Sequence, residues 1–397
     1  MNKNVLIVIM LSLLILAGCT DSATENDNDV HGNGDYILVS TNQSSFYNNS
    51  EEISEPAEGE AFYGQDAQYQ AGEPVSYEVN DDSTVTDLNT GLIWEQTPDP
   101  DGFMYQEAVE YCENLELGGY DDWRMPTLKD LFSISDFNSG WPYIDMEYFD
   151  LATGEITKDE QYWSTNEYVG VTVEGGNTAA FGVNHVTGHI KAYPAGDEMP
   201  PPPENGLHSD PPNPFTKQVR AVRGESYGEN EFVDNADGTI TDNATGLMWT
   251  QMDSEEGIDW ENALAYAENS EYAGYSDWRL PNVKELQSIV DYSYAPGAED
   301  ADKDRAAIDL LFSCTPITNE AGVDDFGYYW TSTSAKFSDG EPFYYAWYVA
   351  FGRAVNGEGL DFHGAGAVRF DTKVEGGPAG EGGERYYNYV RLVRYAE

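Results

Sequence analysis

One stretch of this chain recurs later in it, and that repetition constrains the fold more than any other feature. Thr84-Val85-Thr86-Asp87-Leu88-Asn89-Thr90-Gly91-Leu92-Ile93-Trp94 returns 155 positions on as Thr239-Ile240-Thr241-Asp242-Asn243-Ala244-Thr245-Gly246-Leu247-Met248-Trp249. The same offset relates Gly119-Tyr120-Asp121-Asp122-Trp123-Arg124-Met125-Pro126 to Gly274-Tyr275-Ser276-Asp277-Trp278-Arg279-Leu280-Pro281. Tyr162-Trp163-Ser164-Thr165 then answers to Tyr329-Trp330-Thr331-Ser332, and Val219-Arg220-Ala221-Val222-Arg223 to Val390-Arg391-Leu392-Val393-Arg394. Matches in one order throughout mark a tandem duplication, with one copy at 78–225 and the other at 230–397.

Local pattern sets the layout of each copy. A Thr-Gly turn between short β-branched and aromatic runs predicts a hairpin. Trp260, Ala263, Leu264 and Ala267 fall at i, i+3, i+4 and i+7 behind an Asp259 cap, and Tyr105, Ala108, Val109 and Cys112 repeat that stripe, so a helix is expected in each copy. Thr127 with Asp130, and Asn282 with Glu285, stand at the spacing of a capping box that opens a second helix. Strands and long loops follow. The expected class is α+β: two domains, each with two helices and a mostly antiparallel sheet.

The ends of the chain before residue 78 have a different character. Lys3, an apolar run from Val5 to Leu16 and Leu16-Ala17-Gly18-Cys19 form an export signal over 1–18, too short to span a bilayer comfortably. Its ending resembles the lipobox of bacterial lipoproteins, which implies lipidation at Cys19 and attachment to the membrane through that lipid. Thr20 lacks the aspartate associated with inner-membrane retention, so outer-membrane or surface placement is expected. Residues 19–77 are rich in Asn, Ser, Asp, Glu and Gly and are expected to be an acidic, disordered tether. As a flexible coil it would reach about 40 Å. Its scattered Tyr and Phe also allow part of it to pack as a strand on the first domain.

Asp and Glu number 72 against 19 Lys and Arg, a net charge of −53. Such a field repels nucleic acid and sulfated polysaccharide and suits solubility. Cys112 and Cys314 are the cysteines beyond Cys19; one bridge or two buried thiols fit equally well.

The repeated motifs resemble the Lcl C-terminal domain family, named after collagen-like bacterial adhesins. The second copy carries nearly the whole pattern and the first a diluted form. The resemblance implies a distant C-type-lectin-like fold, with the first and last strands of each copy side by side. It also implies a disulfide between the first helix and the closing strand. Here Cys112 faces Ala221 in the motif, and Ala267 faces Leu392, so that bridge is lost in both copies.

Sites of known chemistry find little support. Asp234-Asn235-Ala236-Asp237-Gly238 fails as a calcium loop, because Val233 and Ala244 stand where acidic ligands belong, and a turn explains it better. Glu341-Pro342-Phe343 is only a partial echo of a lectin sugar motif. His185 and His189 lack a clear third ligand and are expected in a surface turn. No cofactor fingerprint occurs, so neither cofactor nor metal is expected. Trp94, Trp123, Trp163, Trp249, Trp278 and Trp330 are expected in the cores, and Arg124-Met125-Pro126 and Arg279-Leu280-Pro281 in braced turns. Binding is expected instead on segments the copies do not share: 195–215, with Pro200 and Pro201, and Gly-rich 356–388, with His363. The aromatic run holding Tyr344, Tyr345 and Trp347 lies beside them. These features point to a lipid-anchored envelope protein that binds an extracellular protein or uncharged glycan. The alternatives are a polysaccharide-acting enzyme or accessory, and a structural envelope component.

Overall fold

The computed structural model describes residues 36–138, 140–196, 215–380 and 385–396. Cys19, Pro200 and Pro201 lie outside the described residues. In the first copy, Thr84–Asp87 and Ile93–Glu95 form the expected hairpin, flanked by Tyr77–Val79 on one side and Val222–Arg223 on the other. The second copy repeats this sheet with Phe232–Asp234, Thr239–Asp242, Leu247–Thr250 and Val393–Tyr395. Trp94 pairs with Val222, and Trp249 with Val393, so the opening and closing strands are neighbours in both.

The helices follow their sequence signals. Tyr105–Glu113 and Trp260–Glu268 bury the stripes of small and aromatic residues, Ala108 with Cys112 and Trp260 with Ala263, Leu264 and Ala267. Asp259 accepts from Asn262 N at 2.9 Å. The second helices, Leu128–Ser133 and Val283–Ser288, open with reciprocal capping boxes: Thr127 with Asp130, and Asn282 with Glu285. Two orphan backbone donors are thereby satisfied at each start.

A six-stranded antiparallel sheet joins the copies. Its order is Tyr328–Ala335, Tyr345–Ala350, Val368–Thr372, Ile190–Pro194, Ala179–Asn184, Gln161–Tyr168. The order is palindromic: each copy contributes three strands, and the junction is the antiparallel contact of Val368 with Ile190. Both outermost strands shift register just after their tryptophan, between Trp163 and Glu167 and between Trp330 and Ser334. The second helices of the two copies also pack together. The arrangement is that of an isologous dimer interface inside one chain. Copies, junction and the segment before them form one body.

Trp347 shows how the junction is filled. It comes from the second copy and is fully buried, edge-on to Phe137 and Tyr143 of the first, with ring centroids 5.3 and 5.2 Å away. Gly188 permits the approach: a Cβ there would lie 2.8 Å from both the Trp347 and Tyr143 rings, and its φ of +76° favours glycine independently.

The tether expected over 19–77 is corrected for residues 36–77, which pack against both copies. Tyr36, Val39, Tyr47, Ala67 and Ala71 are buried. Tyr36 N donates to Ala244 O at 3.0 Å. Gln43 bridges Phe137 O of the first copy and Ser334 of the second. Lys284 Nζ donates to Ser40 O and Ser133 O, and Lys373 Nζ to Asn48 O. The segment has no core of its own, which is why its composition reads as disordered; docking into surfaces supplied by the repeats offsets its ordering entropy.

Candidate functional site

The shared motif residues are engaged inside the fold. All six motif tryptophans are buried. Trp163 Nε1 donates to Phe103 O at 2.9 Å, and Trp330 Nε1 to Ile258 O at 2.8 Å. Trp123 and Trp278 make the corresponding bonds to Leu117 O and Tyr272 O. The carbonyls of Pro126 and Pro281 accept from Thr165 N and Ser332 N, both at 2.8 Å, tying the turn to the outer strand of the large sheet.

The arginines complete this scaffold. Arg124 Nη1 meets Asp130 Oδ2 at 2.6 Å, and Arg279 grips Glu285 with two nitrogens at 2.6 and 2.5 Å. Those carboxylates are the capping-box residues, so one acidic side chain serves both the helix start and the turn. Glu285 and the Tyr395 and Tyr69 rings hold the Arg279 guanidinium above its ordinary pKa despite the opposing effect of burial. Arg223 Nε pairs with Asp122, and Arg394 Nε with Asp277, both at 2.7 Å. Sequence reasoning missed the role of Arg220 and Arg391. Arg220 donates to the carbonyls of Glu95, Gln96 and Asp150, and Arg391 to those of Thr250, Gln251 and Ser313. Each locks the exit of the opening hairpin to the loop after the second helix. Recurrence of the first arginine in both closing motifs was the available signal.

Several expected binding residues are corrected. Tyr345, Trp347 and His363 are buried and Tyr344 is half-buried: Trp347 and the His363 turn meet the first copy, and Tyr345 packs on Phe337 and Phe370 of its own copy. The segment 356–388 is in part a shared element: Val368–Thr372 is the counterpart of Ile190–Pro194 and makes the junction. His185 and His189 do flank a turn, yet that turn is buried, with His189 at 5.6 Å from Trp347 and 4.9 Å from Phe370. Burial lowers the pKa of His185, His189 and His363 and keeps them neutral. Cys112 and Cys314 are unpaired. Cys112 packs in one cluster with Ala221, and Ala267 in another with Leu392, so apolar contacts occupy the places where the family resemblance implied a disulfide.

A further difference between the copies builds an open pocket. The offset is 155 between Arg124 and Arg279 but 167 between Trp163 and Trp330, so the second copy carries twelve extra residues between these motifs. The longer interval between the second helix and the outer strand lines a cavity of about 480 Å³ with Ile308, Leu310, Phe312 and Phe326, with Asp302, Asp304 and Arg305, and with Cys314. The walls are fixed. Ser313 N donates to Gln251 O at 2.9 Å, Phe312 stands edge-on to Phe232 at 5.2 Å, and Arg305 lies over the Tyr294 ring at 4.4 Å. Asp304 Oδ1 accepts from Gly297 N at 2.6 Å. Burial pushes the Cys314 thiol up, away from the reactive thiolate. Leu310, by contrast, is 69% exposed.

The family model of the Lcl C-terminal domain matches this chain twice, over residues 83–199 and 238–394. No curated protein and no solved structure matches it. The first match stops before Val222–Arg223, although that strand closes the first sheet as Val393–Tyr395 closes the second.

Proposed function

The chain belongs to the Lcl C-terminal domain family, and on that premise we propose that it is an envelope protein, lipid-anchored through Cys19, that binds an extracellular partner through loops of its paired lectin-like domains. The observation that carries this reading is the division of labour among residues. Side chains common to both copies make internal contacts, whereas the interval that is twelve residues longer in the second copy lines an open pocket. A scaffold held by shared residues, with variation concentrated in one loop region, is how binding modules separate stability from specificity.

Two experiments test it. Metabolic labelling with palmitate should tag the wild-type chain and leave Cys19→Ala unlabelled; labelling of the variant would overturn the anchor. The mature chain applied to extracellular protein and neutral glycan arrays should give saturable binding that survives physiological salt. Binding only to polycations, abolished by salt, would reduce the interaction to bulk charge and overturn the reading.

A further inference from the structure

We propose that the pocket lined by the longer interval of the second copy takes a bulky apolar side chain of a cationic polypeptide, with the neighbouring lysine or arginine of that polypeptide held at an acidic rim. This inference rests on the binding role above and names the partner chemistry.

The floor and one lip are hydrocarbon. Ile308, Phe312 and Phe326 line the cavity, and Leu310 stands beside them more exposed than any other large hydrophobic residue among those described. An apolar occupant that covers the leucine side chain gains in proportion to the area it removes from water. A volume of about 480 Å³ holds one large side chain with part of its backbone. An aliphatic or aromatic residue suits this lining better than a sugar, whose hydroxyls would meet few donors and acceptors on the apolar floor.

Charge selects the neighbours of that side chain. Asp302 and Asp304 line the pocket, and Asp300, Asp309 and Asp324 lie close in sequence to its walls. The Arg305 guanidinium is stacked on Tyr294, and the five carboxylates outnumber it and Lys303 together. A peptide carrying Lys or Arg next to its apolar anchor gains attraction at this rim and from the −53 charge of the chain, while an acidic peptide is repelled. The charge of the chain alone would attract any polycation. Selectivity for an apolar anchor is therefore the property that distinguishes the pocket.

Fluorescence anisotropy of the mature chain with three labelled decapeptides separates these effects: alternating Leu and Lys, alternating Ser and Lys, and alternating Leu and Glu. The Leu–Lys peptide should bind at one site at least tenfold more tightly than the Ser–Lys peptide, and the Leu–Glu peptide should not bind. Leu310→Ser, a change at an exposed position that leaves the charge untouched, should remove most of that tenfold margin. Asp302→Lys should weaken Leu–Lys binding severalfold, and circular dichroism should show both variants folded. Equal affinity for the two lysine peptides, or an unchanged margin in Leu310→Ser, overturns the assignment. If array binding by the mature chain is at the same time unaffected by Leu310→Ser, the general binding role survives and only this pocket is refuted.

Discussion

Trp347→Ala should destabilise both copies at once, although the residue belongs to the second. The indole is fully buried, and its ring neighbours are Phe137, Tyr143 and His189 from the first copy and Phe370 from the second. A buried tryptophan covers on the order of 200 Å², worth about 5 kcal/mol at 25 cal/mol per Å². Truncations of buried aromatic residues to alanine cost about 3–5 kcal/mol once partial collapse of the cavity is included. For a body of this size that corresponds to a fall in Tm of roughly 5 °C, from an unfolding entropy of about 2.1 cal/mol/K per residue. The assay is thermal unfolding followed by far-ultraviolet circular dichroism and by near-ultraviolet aromatic signals. A single transition, shifted down by that amount and coincident for both probes, is expected. Two transitions, one remaining at the wild-type midpoint, would refute the claim that the palindromic sheet makes the copies one cooperative unit. Residues 78–225 expressed alone should for the same reason fail to melt cooperatively, since Ile190–Pro194 would become an open edge.

The duplicated ion pairs supply an internal comparison. Arg279→Ala should cost about 3–5 kcal/mol because it leaves the buried Glu285 carboxylate with a single backbone donor, Asn282 N, whereas Arg124→Ala should cost about half as much; the Arg124 side chain is 27% exposed against 4% for Arg279, and Asp130 keeps two backbone donors, from Thr127 and Tyr227. Chemical denaturation of the two variants checks the ranking, and equal costs would contradict it. Asp66→Asn should stabilise the protein increasingly as pH rises from about 4 to about 7. Burial raises the Asp66 carboxyl from 3.8 to about 7 against the opposing bonds from Thr333 and Thr41. The wild type therefore loses stability relative to the variant as pH climbs through that window, by up to about 4 kcal/mol. A difference in stability that is flat with pH would refute it. Cys112 should resist thiol reagents in the native protein and react after unfolding, since its side chain is buried and burial raises its thiol; mass spectrometry of the native protein showing its rapid modification would be contrary evidence.

What was legible in the sequence was local or repeated. The capping boxes need only residues three apart, the helix stripes need two turns, and a tryptophan that recurs amid apolar neighbours declares its own core. What was not legible depends on surfaces made elsewhere in the chain. Val368-Arg369-Phe370-Asp371-Thr372 alternates over only five residues between glycine-rich stretches, and it becomes a central strand because Ile190 lies opposite. Trp347 and His363 resemble binding residues until a second copy covers them. Residues 36–77 have too little apolar surface to fold alone and enough to dock once two domains provide the site.

That dependence bears on where function is to be sought. A duplicated domain that pairs through equivalent faces withdraws those faces from solvent, so aromatic residues there lose their value as ligand contacts. The same pairing leaves free to diverge those loops that make no contact across the junction. Divergence in this chain has done different things to the two copies. Motif residues keep their roles from copy to copy, down to which carboxylate meets which arginine. The interval between second helix and outer strand is longer in the later copy, and there an exposed leucine and acidic side chains stand at an open pocket with an apolar floor. A structural spacer needs neither an exposed leucine nor a cavity beside it. Their juxtaposition beside a fixed wall is the physical reason to test that loop before the repeated tryptophans, whose substitution would report on folding and not on recognition.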